Sequence, residues 1–131
     1  MLEAMEVDLV RLAEEVREEL DAFVTPSPNP AALGTPLPPE WYAMELAAMR
    51  KSLVPPYWIQ MRDLDPSLGR LVILNVVVVA DDGDGTLVAY DPQNQGEFVL
   101  AQRGADPDAE RGVGIVSCGV RGDVVGCFLS R

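Results

Sequence analysis

The amino-acid sequence predicts an α+β fold in which two N-terminal helices pack on a mainly antiparallel sheet of five or six strands. Two helical patterns occupy the N-terminal part of the chain, and short apolar runs separated by Gly, Asp and Pro occupy the remainder. Such short turns force neighbouring strands to run antiparallel. At 131 residues, the chain is long enough for one domain with a single hydrophobic core.

The first helix is predicted over residues 1–24, and a Pro-rich linker follows over residues 25–39. Apolar residues recur every three or four positions and form one stripe, which comprises Leu2, Met5, Leu9, Leu12, Val16, Leu20 and Phe23. Acidic residues such as Glu14 and Glu18 occupy the opposite side. We expect this helix either to dock on the sheet or to pair with a second chain. The linker carries six prolines, which prevent a helix or a central strand.

The remaining residues, 40–131, are predicted to form the α+β core. The second helix begins near Pro39, because Pro and the acidic Glu40 suit a first turn, and it ends before a Pro-Pro pair. Strands are predicted over residues 57–62, 70–80, 86–90, 97–103 and 113–118. Residues 124–129 fit either a final strand or a short helix capped by Asp123, and their β-branched start favours the strand.

Residues 70–80 are predicted to form the central strand of the sheet. Apart from Arg70 and Asn75 they are apolar, and many are Val or Ile, which pack well on a pleated surface. The run is far shorter than the roughly 20 residues of a membrane helix. Because both faces of the strand are apolar, its second face needs a cover: the second helix, a curled sheet or a second subunit.

The charge balance points away from nucleic acid and membranes. Lys and Arg total 10 and Asp and Glu total 21, which gives a formal net charge of −11. An acidic surface repels phosphate backbones and anionic lipids, whereas it accelerates encounter with a basic protein. The charge is equally consistent with a surface that only keeps the protein soluble. We therefore expect a protein partner, basic in character, and neither nucleic-acid nor membrane binding.

The sequence lacks the residues on which many catalytic sites are built. It contains no His, which removes the usual general base, the usual zinc ligand and the Ser-His or Cys-His nucleophile pairs. Cys118 and Cys127 lie nine residues apart and are expected to be reduced and buried as small hydrophobic residues. The N-terminus is acidic and amphipathic rather than signal-like, which indicates the cytoplasm. We predict neither enzymatic activity nor a cofactor.

An acidic cluster is the first candidate for a functional site. Asp81, Asp82 and Asp84 lie close together in the sequence. The calcium-loop template, however, requires a Gly and a Glu where this sequence has Leu87 and Gln93. The Asp-Gly pairs instead favour a hairpin turn that needs no metal ion.

An aromatic group is the second candidate. The group comprises Trp41, Tyr57 and Trp58. If the two tryptophans are exposed together with Arg62, they have the composition of a protein-binding hot spot, although aromatic residues at the edge of a core need no function. The acidic Asp82 and Asp84 complete the predicted partner-binding set, because the expected partner is basic.

Two stretches resemble a known family. Residues 37–42 (Leu-Pro-Pro-Glu-Trp-Tyr) open a helix, and residues 77–91 join two strands through an Asp/Gly-rich turn. This order of elements resembles the SMI1/KNR4-like (SUKH) domains over roughly residues 37–129. The resemblance implies a non-catalytic immunity or scaffolding protein that binds a toxin or another partner.

The sequence therefore predicts a non-enzymatic intracellular interaction module that binds a basic protein in an immunity-like role. One alternative is a self-associating structural protein, which dimerises through the stripe of residues 2–23 or through the doubly apolar sheet. Another alternative is a small-ligand binder or an enzyme that uses a carboxylate-lined cleft.

Overall fold

Three helices and five strands make up the part of the chain that the computed structural model describes, which is residues 7–25, 37–65, 67, 69–93, 96–103 and 114–131. The helices are α1 (Leu9–Ala22), α2 (Pro39–Ser52) and α3 (Val124–Leu129). The strands are β1 (Leu53–Asp65), β2 (Arg70–Asp81), β3 (Thr86–Asp91), β4 (Glu97–Arg103) and β5 (Ile115–Gly122). The predicted α+β class is confirmed. Most of the predicted linker lies outside the described residues.

The five strands close into a barrel, in chain order from β1 to β5. Each strand is antiparallel to the next, and β1 pairs with β5 in parallel at Arg62 and Val116. An odd number of alternating strands brings the first and last strands together in the same direction. The prediction of a sheet packed against helices is corrected in this respect: the sheet closes upon itself, and one of its faces becomes the barrel interior.

The first strand, β1, is longer than the predicted strand 57–62 and starts at Leu53. Its first residues include Pro55 and Pro56, which have no N–H group to donate to a ladder. The register with β2 is irregular between Leu53 and Tyr57, and an irregularity of this kind accommodates prolines. The Pro pair therefore follows the end of α2 without preventing the strand.

Alternate residues of the strands contribute to two separate hydrophobic clusters. The first fills the barrel interior and comprises Met61, Val76, Val78, Leu87, Ala89, Val99, Ala101 and Ile115. The second, the helix-side cluster, lies between the barrel and the helices. Its strand residues include Val77, Val79, Val88, Phe98 and Leu100. The helices add Leu12, Val16, Leu20, Met49, Val124, Val125, Cys127 and Phe128.

The first helix, α1, docks on the barrel, which was one of the two expectations for it. Asp8 caps its N-terminus by accepting a hydrogen bond from the backbone N–H of Arg11 at 3.1 Å. Leu12, Val16 and Leu20 of its apolar stripe are buried in the helix-side cluster. These three side chains are occupied within the chain, so they do not offer the seam that pairing with a second helix would need.

Residues 124–129 form a helix, so the strand favoured by their β-branched start is wrong. The carboxylate of Asp123 accepts a hydrogen bond from the backbone N–H of Gly126 at 3.0 Å and caps this helix. The buried residues of α3 are Val124, Val125, Cys127 and Phe128. Their burial outweighs the β-preference of valine, because β-propensities span only about 1 kcal/mol.

The central strand β2 is covered on both faces along only half of its length. Residues 76–80 are all buried, whereas exposed and partly buried residues alternate over residues 71–75. In the covered half, one face points into the barrel interior and the other face packs against the helices. In the other half, Leu71 and Ile73 of the outer face are exposed. The expectation that the whole strand is covered on both faces is therefore corrected.

Candidate functional site

The candidate site is the outer surface of the hairpin that β1 and β2 form. Opposed residues of an antiparallel pair project from the same side of the sheet. The register pairs Trp58 with Val77, Gln60 with Asn75, Arg62 with Ile73 and Leu64 with Leu71. Val77 is buried in the helix-side cluster. The other seven residues of these four pairs define the β1–β2 outer face.

Four large apolar side chains are exposed on the β1–β2 outer face: Trp58 by 42%, Leu64 by 58%, Leu71 by 50% and Ile73 by 57%. A fully exposed side chain of this size offers about 150–250 Å², so the four together present roughly 400 Å² of apolar surface. Leu64, Leu71 and Ile73 lie in adjacent rows and form one apolar patch, whereas the polar row of Gln60 and Asn75 separates them from Trp58. Exposed apolar patches on soluble proteins are often contact sites. The face therefore offers apolar area to a partner.

The β1–β2 outer face contains no carboxylate, although Asp and Glu make up 21 residues of the chain. Its polar residues are Gln60, Arg62 and Asn75. The cores of protein interfaces are likewise depleted in acidic residues and enriched in aromatic residues and Arg. Trp and Arg are also the residues that most often supply binding hot spots. The face thus has the composition of a protein interface.

The acidic residue in this stretch of β1 projects in the opposite direction. The carboxylate of Asp63 lies at the end of the barrel, 2.5 Å from Nη2 of Arg121. Nη1 of Arg121 lies 3.0 Å from the carboxylate of Asp91, which is buried. It also lies 3.9 Å from the carboxylate of Glu97. Burial alone would lower the pKa of the Arg121 guanidinium, but the hydrogen bonds to Asp63 and Asp91 outweigh burial and raise the pKa. The cluster fixes the backbone from which the outer face projects.

An apolar groove of about 400 Å³ separates α1 from the start of β1. This α1–β1 groove is lined by Leu9, Val10 and Ala13 of α1 and by Val54, Pro55 and Pro56 of β1. Glu14 and Arg17 add charged groups to its helical wall. The groove lies at the start of β1, before the register with β2 becomes regular at Tyr57.

The structure brings together two of the five residues predicted to bind a partner. Trp58 and Arg62 project from the same side of β1, about 13 Å apart along the strand. Trp41 lies in the first turn of α2, where its ring meets the ring of Tyr42 edge-on at 5.0 Å. It therefore belongs to a different element from the β1–β2 outer face.

The two predicted aspartates belong to the turn between β2 and β3. The carboxylate of Asp82 accepts hydrogen bonds from the backbone N–H of Asp84 at 2.7 Å and of Thr86 at 3.1 Å. It also lies 3.4 Å from the guanidinium of Arg131. Gly83 has a positive φ of 80°, which glycine adopts without strain. The predicted hairpin turn is confirmed, and no group of His, Cys, Asp and Glu within the described ranges is arranged to hold a metal ion.

Five residues of the β1–β2 outer face were not predicted as site residues: Gln60, Leu64, Leu71, Ile73 and Asn75. A signal for two of them exists in the sequence, because Leu71 and Ile73 belong to one of the two apolar faces of residues 70–80, and one helix layer covers only one such face. Leu64 follows the predicted strand 57–62, so its direction could not be assigned before β1 was known to extend to Asp65.

The two cysteines do not supply an activated nucleophile. Cys127 is buried, and its thiol donates a hydrogen bond to the carbonyl oxygen of Phe98 at 3.5 Å. Burial raises the pKa of Cys127 to about 11, and the negative charge of Asp123 contributes to this rise. Cys118 is exposed, which corrects the expectation that both thiols are buried, although partial desolvation still raises its pKa. Both thiols are therefore protonated at neutral pH.

Comparison of the chain with protein-family models, with curated proteins and with solved structures finds no match. The resemblance to the SMI1/KNR4-like (SUKH) domains stays a prediction. Among the helices of the described residues, none is long and apolar enough to cross a membrane.

Proposed function

We propose that the protein is a non-enzymatic interaction module of the cytoplasm that binds a basic protein through the β1–β2 outer face. One observation carries the proposal: the chain has a net charge of −11, yet the face that exposes Trp58, Leu64, Leu71 and Ile73 contains no carboxylate. Removal of this apolar surface from water favours contact. Because the chain is acidic, it favours apolar partners that carry positive charge over those that carry negative charge.

The net charge indicates the kind of partner. Charged groups at the edge of an interface act over about one Debye length, roughly 8 Å at physiological salt. The complementary partner therefore has an apolar contact patch that is surrounded by Lys and Arg. The same charge disfavours the phosphate backbone of nucleic acids and the surface of anionic membranes.

An immunity-like role is consistent with this arrangement. A protein that neutralises its partner by occupying it needs affinity and no chemistry of its own. The absence of His and the raised pKa values of both thiols fit such a role. The resemblance of residues 37–129 to SMI1/KNR4-like (SUKH) domains supports it from the sequence. The role requires no cofactor.

Self-association through the same face is the second candidate function. The exposed apolar surface of roughly 400 Å² is about half of the 800 Å² that each partner contributes to a standard interface. A basic partner gains electrostatic attraction to the acidic chain in addition to this contact. A second copy cannot do so, because two chains of net charge −11 repel each other. The charge therefore favours the basic partner over the homodimer.

Affinity capture from the native host with matched variants tests the proposal. The baits are the wild-type full chain, the face variant Leu71→Thr/Ile73→Thr, and the control variant Val24→Thr/Leu37→Thr. All four substituted residues are exposed, but only the first two belong to the β1–β2 outer face. Thr is β-branched and favoured in strands, so we expect the face variant to keep its fold.

We expect the wild type and the control variant to retain the same basic protein and to release it when salt is raised to about 0.5 M. We expect the face variant to lose it. Equal retention by all three baits, or retention of an acidic protein, would contradict the proposal. Light scattering tests the second candidate. If the wild type is a dimer and the face variant is a monomer, the face binds a second copy of the chain and not a basic partner.

A further inference from the structure

The second helix, α2, is attached to the rest of the protein by little buried apolar surface. Two of its 14 residues are buried, and one of these, Ser52, is polar. The other is Met49, which belongs to the helix-side cluster. The much shorter α3, in contrast, buries four of its six residues. Because burial of apolar surface is the dominant favourable term in folding, α2 is held less firmly than α3.

An ion pair with Arg131 provides α2 with a further attachment. The guanidinium of Arg131 lies 3.3 Å from the carboxylate of Glu45, which belongs to α2. The same guanidinium lies 3.4 Å from the carboxylate of Asp82 and 4.3 Å from the ring centroid of Phe128. Arg131 therefore connects α2 with α3 and with the turn between β2 and β3. The side chains of Arg131 and Glu45 are both partly buried, so solvent screens their attraction less than that of an exposed pair.

A second set of contacts joins α2 to the end of α1. Arg50 of α2 lies 2.6 Å from the carboxylate of Asp21, and both side chains are exposed. The ring of Tyr42 stacks on that of Phe23, with 6.2 Å between the ring centroids. Exposed ion pairs contribute little to stability. The partly buried pair with Arg131 is therefore the stronger of these two ionic attachments.

The chain that follows α2 has the properties of a hinge. Helix α2 ends at Ser52, and β1 begins at the next residue, Leu53. The register of β1 with β2 is irregular between Leu53 and Tyr57. Within this interval, Pro55 and Pro56 have no N–H group to donate to the ladder. The first residues of β1 can therefore change direction while the regular ladder from Tyr57 onwards stays paired.

We propose that α2 opens as a unit about residues 53–56 while the barrel, α1 and α3 stay folded, and that the ion pair of Glu45 with Arg131 holds it closed. Such a local opening requires less free energy than global unfolding, because it uncovers little apolar surface and leaves the barrel intact. The opening withdraws Met49 and exposes the part of the helix-side cluster that this side chain covers. Helix α2 thus controls access to an apolar surface. The inference is independent of the proposed function, because it involves none of the residues that define the β1–β2 outer face.

Hydrogen exchange of the full chain, followed by mass spectrometry in urea below the unfolding transition, tests the opening. We expect the amides of α2 to exchange at least about tenfold faster than those of β3 and β4. We also expect their exchange to depend less on urea, since that dependence scales with the surface exposed in the opening. Equal rates in α2 and in the two strands, or an equal urea dependence, would mean that α2 opens only when the whole protein unfolds, and would overturn the inference.

A matched pair of variants tests the part that the ion pair plays. Glu45→Gln removes the carboxylate that pairs with Arg131, and Glu15→Gln removes the carboxylate that pairs with Arg11 in α1. Gln is a good helix former, so we expect both helices to form. We expect Glu45→Gln to accelerate exchange in α2 by about two- to fivefold without changing β3 and β4, and Glu15→Gln to leave α2 unchanged. No acceleration in Glu45→Gln, or an equal acceleration of α2 and of the strands, would contradict the role of the ion pair.

Salt tests the same ion pair without a substitution. At 1 M salt the Debye length is about 3 Å, so the attraction between Glu45 and Arg131 weakens. We expect added salt to accelerate the exchange of α2 in the wild type more than in Glu45→Gln, which has already lost the pair. An equal effect of salt on both proteins would show that this ion pair does not hold α2 closed.

Discussion

The carboxylate of Asp91, which is 1% exposed, lies 3.0 Å from Nη1 of Arg121. Asp91 ends β3 and Arg121 belongs to β5, so the ion pair joins two strands that are not neighbours in the barrel. A buried carboxylate is costly when it is unpaired and tolerable when it is paired and hydrogen-bonded. An ion pair therefore links β3 to β5 at this end of the barrel, and the buried carboxylate of Asp91 is tolerated only while Arg121 is present.

Replacement of Arg121 by Met is expected to lower the free energy of unfolding by about 3 kcal/mol, because it leaves the buried Asp91 carboxylate uncompensated. Urea unfolding at neutral pH measures the change. Arg11→Met is the control, since it removes an exposed partner of Glu15 and should change the free energy by less than about 0.5 kcal/mol. A loss in Arg121→Met no larger than in the control would show that the barrel end does not depend on this pair.

The sequence predicted the individual strands better than their closure. The predicted strands 86–90 and 97–103 agree with Thr86–Asp91 and Glu97–Arg103, because Gly-containing turns mark their ends. Closure depends on the parallel contact of β1 with β5, between residues far apart in the sequence. The local apolar pattern is the same in an open sheet and in a barrel, so it could not predict that contact.

The sequence identified the Trp and the Arg of the candidate site but not its apolar extent. Trp58 and Arg62 were predicted from their hot-spot composition. Leu71 and Ile73 are of the same residue class as Val77, which lies on the same side of β2 and is buried. Composition alone cannot indicate where along the strand the helices stop covering it, because that depends on tertiary packing.

Removal of the α3 cap is expected to destabilise the protein modestly. Asp123→Ala leaves the backbone N–H of Gly126 without its acceptor and should lower the free energy of unfolding by about 1 kcal/mol. Asp123→Ser keeps an accepting oxygen and should restore most of the loss. Thermal unfolding followed by circular dichroism measures both variants. Equal losses in the two variants would indicate that the charge of Asp123, rather than its capping hydrogen bond, stabilises α3.

Glu19 makes stability depend on pH. Burial raises the pKa of Glu19, and the negative charges of Asp123 and Glu15 raise it further. Because the pKa is higher in the folded than in the unfolded protein, ionisation of Glu19 favours unfolding. This penalty is absent below the ordinary pKa of 4.5 and complete above the pKa of the folded state, so it grows as pH rises through that window.

Glu19→Gln is therefore expected to raise the free energy of unfolding at pH 7 and to have no such effect below the ordinary pKa. The gain should be about 0.2–0.5 kcal/mol, the usual size of a like-charge i,i+4 term, since solvent screens this partly exposed group. Chemical unfolding at both pH values measures it. Glu18→Gln, which removes the same charge from the same helix, serves as the control. A gain of equal size at both pH values would contradict the assignment.

Substitutions of Val77 and Ile73 test how far along β2 the helices cover the outer side of the strand. Both lie on the outer side of the strand, but Val77 is buried in the helix-side cluster and Ile73 is exposed. Val77→Thr places a hydroxyl among apolar side chains and should lower the free energy of unfolding by about 1–3 kcal/mol. Ile73→Thr removes exposed apolar surface and should change it by less than about 0.5 kcal/mol. Urea unfolding compares the two, and equal losses would mean that the β1–β2 outer face is covered and cannot be the contact site.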